Sequence, residues 1–207
     1  MNFYIIVLYY ITKMRIIILL IILIIGIAIF YWYYFKTMTF LESPLDKRYY
    51  MVRDLSDKTT AVIMLSTIRL NILKLNDYLV TNKDNDKYNE YKSYIEQLND
   101  RIKSVSISES RESSASTSYS VNKGEELVFC LRSKKEWNKF HNFNTIMYVA
   151  LHEISHIACP EYGHGELFKK IFAFITKVSI EINIYTLTNF SKTPEEYCGI
   201  YITESII

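Results

Sequence analysis

The stretch MYVALHEISHIACPEYGHGELFKKIF, residues 147–172, contains three of the four histidines of this 207-residue chain. Apolar residues recur before and within it at the three- and four-residue spacing of an amphipathic helix, namely Ile146, Val149, Ala150, Ile154 and Ile157. Asn142 or Asn144 can cap the start of such a helix. The sequence therefore predicts a helix with one buried face that ends near Pro160, because proline cannot continue it.

Two of the histidines, His152 and His156, are four residues apart. On one helix they project from the same face about one turn apart, so their imidazoles can take adjacent corners of a zinc tetrahedron. Glu153 lies beside this pair, where its carboxylate can act as a general base on water instead of binding the metal. The order His-Glu-x-x-His therefore predicts a catalytic zinc site.

A catalytic zinc site needs a third protein ligand and leaves its fourth position to water. His164 is the leading candidate, because Pro160 and Gly163 let the chain turn back toward the helix and zinc favours imidazole. His141 lies eleven residues before the motif and is predicted to be a surface residue, not a ligand. Other side chains remain alternatives as the third ligand: Cys159, Glu161 and Glu166.

The same residues resemble the WLM metallopeptidases, a family related to the SprT-like and Spartan proteases. The resemblance covers roughly residues 105–205 and depends on the three histidines, Glu153, Phe168 and the segment Tyr197–Ile200. It implies that the three histidines bind Zn²⁺, that Glu153 is the catalytic acid and base, and that Phe168 packs under the site. The pattern is also similar to membrane-anchored members encoded by large DNA viruses. Some family members cleave proteins that are crosslinked to DNA.

A second informative stretch, IIILLIILIIGIAIFYWYYF at residues 16–35, contains no charged residue. As a helix it would match the ~30 Å hydrocarbon core of a bilayer. Basic residues flank it, and residues 31–34 form an aromatic belt at its C-terminal end. We predict a single-pass anchor in a viral or host membrane, with a cleaved signal peptide as the alternative. The larger number of basic residues after the run favours a cytoplasmic location for the rest of the chain.

The charge balance restricts the possible partners. Three of the 24 basic residues precede residue 37, whereas all 22 acidic residues follow it, so residues 37–207 have a net charge near −1. A domain that binds nucleic acid through phosphates needs a basic excess. We therefore do not expect strong binding of nucleic acid.

The three cysteines, Cys130, Cys159 and Cys198, are odd in number and widely spaced. They do not describe a disulfide framework, so reduced thiols are the default expectation. One pair can still form a bridge if the domain faces an oxidising compartment.

The chain is predicted to contain three segments: a transmembrane anchor (16–35), a helical hairpin (44–103) and a zincin-like metallopeptidase domain (104–207). Helical spacing at 57–80 and 88–102 predicts the hairpin, either a scaffold or a coiled-coil stalk, and Ser43 and Pro44 predict a short helix before it. The Ser-rich stretch 104–120 predicts an exposed loop, with or without short flanking strands.

Two short runs with strand propensity, Tyr119–Val121 and Leu127–Leu131, flank the turn signal Asn122-Lys123-Gly124. They predict a β-hairpin or an edge strand. This segment can be a shelf on which an extended substrate adds by β-augmentation, or it can be ordinary sheet packing.

Together these observations predict an α+β, membrane-anchored zinc metalloendopeptidase that hydrolyses protein or peptide substrates with a zinc-activated water. The donor that would stabilise negative charge on the substrate is left open among Tyr162, Tyr185 and Tyr197. One alternative is a zinc-stabilised but catalytically inactive binding or structural protein on a membrane. Another is a structural membrane protein that assembles through the helical hairpin, with a fortuitous histidine motif.

Overall fold

The computed structural model describes residues 3–136 and 139–207 and divides into two compact units, Met1–Thr39 and Phe40–Ile207. The first unit contains helix α1, Phe3–Lys36. Its segment Leu8–Tyr33 has a mean hydropathy of 2.9 and is not buried inside the protein. By length and composition this helix can cross a membrane, a property that it shares with N-terminal signal sequences. The side chain of Tyr34, the last residue of the predicted aromatic belt, lies outside the described residues.

The second unit contains both helices that the apolar spacing predicts before residue 104. Helix α2 spans Lys58–Asn82, and helix α3 spans Lys92–Ile102 after a short 3₁₀ turn. The predicted short helix at Ser43 and Pro44 is wrong. The Ser43 hydroxyl instead accepts a hydrogen bond from the Leu45 amide (3.1 Å) in a turn between two strands, which is a common alternative use of a serine that could cap a helix.

The sheet contains five strands: β1 (Met38–Glu42), β2 (Tyr49–Arg53), β3 (Ser106–Glu109), β4 (Tyr119–Val121) and β5 (Glu126–Phe129). Their order is β1-β2-β3-β5-β4, so β4 lies at one edge. Strand β3 is parallel to β2 and β5, whereas β4 is antiparallel to β5. The central strand β3 occupies part of the predicted Ser-rich loop, because Val105 and Ile107 alternate with serines and are buried.

Helix α4, Phe143–Ala158, contacts α3, strand β4 and helix α5, Glu166–Glu181. Most of its apolar residues are buried in one core with residues of the sheet and the other helices of the second unit, while Phe143 and Val149 are partly buried against this core. Full burial of an Ile, Leu or Met side chain contributes about 1.5–3 kcal/mol to the free energy of folding. Segments 44–103 and 104–207 both lie within this unit. The predicted α+β class is confirmed.

A short C-terminal hairpin, β6 (Glu195–Tyr197) and β7 (Ile200–Ile202), follows α5. A disulfide between Cys130 and Cys198 joins it to the end of β5, across a sequence separation of 68 residues. The expectation of reduced thiols is therefore wrong for this pair and holds for Cys159, which is free and buried. Sequence spacing could not identify the pair, because only the fold brings the two Cα atoms to 6.0 Å, within bridging distance.

Candidate metal centre

Helix α4 places the first two histidines. Its N-cap is Asn142, whose side chain accepts a hydrogen bond from the Asn144 amide (2.9 Å), so the first of the two predicted caps is the one used. The apolar face of the helix is buried, while His152 and His156 lie half-buried one turn apart. The core contacts of α4 therefore fix the direction in which both imidazoles point.

The loop after α4 returns the third histidine to the first two. Gly163 adopts a left-handed backbone conformation (φ +80°), which a residue with a side chain rarely adopts and which helps the chain to reverse. The Nε2 atoms of His152 and His156 are 3.2 Å apart, and that of His164 lies 3.0 Å from the former and 3.1 Å from the latter. The three nitrogens form a nearly equilateral triangle. A tetrahedral zinc with Zn–N bonds of ~2.0–2.1 Å requires ligand separations of about 3.3 Å.

The protonation of these imidazoles suits a metal site. Burial, together with the neighbouring imidazoles, lowers the pKa of His152 to about 3. Burial, His164 and Lys123 lower the pKa of His156 to about 4. Both rings are therefore neutral near pH 7, the state in which histidine binds a metal. If each ring carries its proton on Nδ1, the three Nε2 lone pairs can be shared by one cation, so this donor set fits Zn²⁺.

Phe168 of helix α5 forms an apolar floor under the triangle. Its buried ring stacks on His156 with centroids 4.2 Å apart. It also meets His152 edge-on at 5.0 Å and His164 at 4.9 Å. Packing against one aromatic ring restricts the rotation of all three imidazoles, as a preorganised site requires.

Glu153 is 6% exposed and lines the same cavity of about 560 Å³ as the three histidines. Burial raises the pKa of its carboxyl to about 7, while a hydrogen bond from the Ser120 amide acts in the opposite direction. Ser120 belongs to the edge strand β4, so the sheet edge and the candidate base meet in this cavity. A carboxyl that titrates near neutral pH can both accept and release a proton during a reaction.

Among the described residues, the three histidines form the one group whose ligand atoms lie close enough to hold a metal, within 4.8 Å of one another. Cys159, Glu161 and Glu166 are not part of it. Glu161 lines the cavity, and Glu166 forms an exposed ion pair with Lys169.

The prediction that His141 lies at the surface is wrong, since it is buried. Its Nε2 accepts a hydrogen bond from the Cys198 amide (3.0 Å), and its ring packs on Tyr197 at a centroid distance of 4.8 Å. A single histidine in a sequence does not reveal whether a distant segment will cover it. His141 is therefore a structural residue of the core.

The three candidate tyrosines occupy different environments. Tyr162 lines the cavity and is 89% exposed. Tyr197 is buried, and its hydroxyl lies 2.6 Å from the Ser118 hydroxyl; burial, and to a smaller extent Glu153, raise its pKa. Tyr185 packs on Tyr148 with centroids 5.8 Å apart. Within the described part of the chain, neither Tyr185 nor Tyr197 belongs to the cavity lining.

Two contributions to the site carry no signal in the sequence. The amide of Ser120 reaches Glu153, and the side chain of Lys123 reaches the loop that carries His164. Both contacts involve the backbone on one side, and backbone groups are the same for every residue type. Only the folded arrangement of β4 beside α4 identifies them.

Comparison with known proteins finds relatives in viruses. Uncharacterized protein R325 of Acanthamoeba polyphaga mimivirus is 43% identical over 169 residues, which cover 82% of this chain and 84% of that protein. Uncharacterized protein 136R of Invertebrate iridescent virus 6 is 31% identical over 72 residues, which cover 34% of this chain and 40% of that protein. Among solved structures, Wss1 from Saccharomyces cerevisiae is similar with a TM-score of 0.35 and 20% identity, covering 48% of this chain and 80% of that one. No family model matches the chain.

Proposed function

We propose a function for this chain, which belongs to the family of the mimivirus protein R325: it is a membrane-anchored zinc metalloendopeptidase of the WLM type. The observation that carries the proposal is the triangle of three Nε2 atoms, 3.0–3.2 Å on a side, with the buried carboxylate of Glu153 in the same cavity. Three convergent imidazoles that can hold the metal, with one carboxylate beside them that can act as a base, are the groups that a hydrolytic zinc centre needs.

In this proposal His152, His156 and His164 hold the metal. When bound, Zn²⁺ lowers the pKa of water and polarises the scissile carbonyl group. Imidazoles bind a metal in their uncharged form, so a site of three histidines would leave the positive charge of the ion available for this role.

Glu153 moves the proton. Its carboxylate accepts a proton from the attacking water and then donates it to the nitrogen of the leaving amine. A pKa raised to about 7 by burial allows both steps at neutral pH. The Ser120 amide orients the carboxylate by a hydrogen bond that favours its charged form.

The substrate is a protein or peptide in an extended conformation. Strand β4 ends the described sheet, and the cavity is lined by both β4 and the histidines. An extended chain that adds to this edge would pass the reactive groups, with main-chain hydrogen bonds as the source of affinity. Helix α1 anchors the enzyme in a viral or host membrane, because its apolar side chains are exposed over a length that crosses a bilayer.

Zinc content and peptidase activity test the proposal on the full chain in detergent micelles. We expect about one zinc per chain and cleavage of denatured casein. Glu153→Gln should keep the zinc and lose activity by about 100-fold or more, because the amide cannot act as a base. Glu166→Gln is the matched control, since Glu166 is exposed and paired with Lys169, and its activity should equal that of the wild type.

Three results would contradict the proposal in different ways. Zinc without cleavage would support an inactive, zinc-stabilised protein. A chain without zinc would exclude the metal centre. Full activity of Glu153→Gln would exclude the assigned base.

A further inference from the structure

We propose that Lys123 is a positioning residue of the metal centre: it holds the loop between His156 and His164 in the conformation that completes the three-histidine set. This inference rests on the proposed function, because it assumes that the histidines bind a metal. Lys123 itself would bind neither metal nor substrate in this role.

The side chain of Lys123 reaches three consecutive carbonyl groups. Its Nζ donates to the carbonyl oxygens of Cys159 (3.1 Å), Pro160 (2.6 Å) and Glu161 (3.2 Å). An ammonium group has three N–H donors, so one lysine can satisfy all three acceptors. These carbonyls follow the last residue of α4, at the negative end of the helix, where a cation is favourable.

The same ammonium lies 4.2 Å from the centroid of the Tyr162 ring. Lys123 therefore contacts each of residues 159–162, and only Gly163 separates this segment from His164. Gly163 adopts its left-handed conformation without strain, but a glycine also leaves the loop conformationally free, so a single loop shape needs support from outside the loop. A cation that binds several successive backbone groups provides that support.

The turn that carries Lys123 is itself fixed against helix α4. Gly124 is buried with φ +113°, and a Cβ atom there would lie 3.3 Å from two side-chain carbons of Ile157, the residue after His156. The turn also accepts a hydrogen bond at the Lys123 carbonyl from Arg101 (3.3 Å). Lys123 thus connects the second ligand's helix to the third ligand's loop through a turn that already has a defined position.

The charge of Lys123 and its hydrogen bonds would have opposite effects on zinc binding. A fixed positive charge near the histidines repels a metal cation, so removing it would strengthen zinc binding. Loss of the hydrogen bonds instead frees the loop, and ordering it again must then be driven by zinc binding. Zinc affinity therefore distinguishes the two effects by sign.

The test compares Lys123→Met with the matched control Lys135→Met in the full chain in micelles. Methionine keeps an unbranched stem of similar size and removes the charge and the donors. Lys135 also lies over a tyrosine ring, 4.0 Å from the centroid of Tyr201, but it does not line the cavity. Zinc affinity is measured by competition with a chelator, and the midpoint of thermal unfolding is measured on metal-free protein.

We expect Lys123→Met to weaken zinc binding about tenfold or more, and Lys135→Met to leave it unchanged. The metal-free Lys123→Met chain should unfold within a few degrees of the wild type, since a purely structural residue would change this midpoint and not the affinity. Lys123→Arg keeps the charge and the donors and should recover part of the lost affinity. Unchanged or tighter zinc binding by Lys123→Met would overturn the inference and leave the proposed function intact.

A wild-type chain that binds no zinc would instead overturn the proposed function. Hydrogen exchange of the amides of residues 161–164 in the metal-free chains then decides the inference about the loop. Faster exchange in Lys123→Met than in Lys135→Met would support the holding role of Lys123. Equal exchange would overturn it.

Discussion

At the scale of single residues, His141 shows how a histidine can serve the site without binding metal. Its Nε2 accepts a hydrogen bond from the Cys198 amide, and its ring packs on Tyr197. The Tyr197 hydroxyl in turn lies 2.6 Å from the Ser118 hydroxyl. Ser118 and Ser120 belong to the same segment as β4, and both line the cavity of the histidines. His141 therefore stabilises the C-terminal hairpin behind the candidate active site.

The role of His141 predicts a pH dependence of stability. Burial lowers its pKa below the usual 6.5, although Glu196 acts in the opposite direction. The unfolded chain therefore binds a proton near pH 6.5 that the folded chain binds only at lower pH. This contribution to stability is complete above pH 6.5 and falls as the pH decreases toward the folded pKa, by at most about 1.4 kcal/mol per pH unit.

Urea unfolding of metal-free protein between pH 5.0 and 7.5 measures this effect. His141→Gln keeps a hydrogen-bond acceptor but does not titrate, so its free energy of unfolding should fall less than that of the wild type over this range. The histidines of the metal centre contribute equally to both chains. Identical slopes for the two chains would exclude His141 as the titrating group.

At the scale of elements, the Cys130–Cys198 disulfide joins two elements that are far apart in the sequence. Cys130 follows β5, and its amide donates to the Ser118 hydroxyl (3.1 Å), while Cys198 lies in the turn of the β6–β7 hairpin. The bridge thus holds a hairpin of two three-residue strands against the sheet. Such a short hairpin has little stability by itself.

Removing this bridge should cost considerable stability. For a sequence separation of 68 residues, loop-closure entropy gives about 4 kcal/mol. We expect Cys130→Ser/Cys198→Ser to have a free energy of unfolding lower by about this amount, measured in urea without reductant. A thiol reductant should destabilise the wild type to a similar extent and leave the double variant unchanged. A wild type that is insensitive to the reductant would contradict the bridge as a stabilising link.

At the scale of the whole molecule, α1 and the second unit differ in the exposure of their apolar residues. The apolar residues of Leu8–Tyr33 are exposed, whereas most of the large apolar side chains of the second unit are buried in one core. A helix with such a surface is unfavourable in water and favourable in a bilayer. We therefore propose membrane attachment for α1 and hydrolysis for the second unit.

Substitutions in α1 test the attachment. Arginine near the centre of a membrane helix costs about 2.5–3.5 kcal/mol per residue on the insertion scale. We expect the wild-type chain to resist extraction from membranes by alkaline carbonate and Leu20→Arg/Ile24→Arg to be released. Leu20→Ala/Ile24→Ala is the control and should stay in the membrane. Release of the wild type would contradict the anchor, and so would retention of the arginine variant.

The sequence by itself determined the features that depend on local spacing. The period of α4, a cap at Asn142 or Asn144, the pairing of His152 with His156 on one face, and the apolar run of α1 all follow from residues that are near one another in the chain. The sequence also predicted His164 as the leading candidate for a third ligand, and the structure brings its Nε2 to within 3.1 Å of the other two.

Only the tertiary structure decided the features that depend on remote segments. It buried His141, joined Cys130 to Cys198, placed β3 in the middle of the sheet and brought Lys123 to the carbonyl groups after α4. Each of these depends on residues that the fold brings together across the chain, or on backbone groups that have no residue identity. Local patterns therefore cannot reveal them, because the burial and the pairing arise only when the sheet and helices pack around one core.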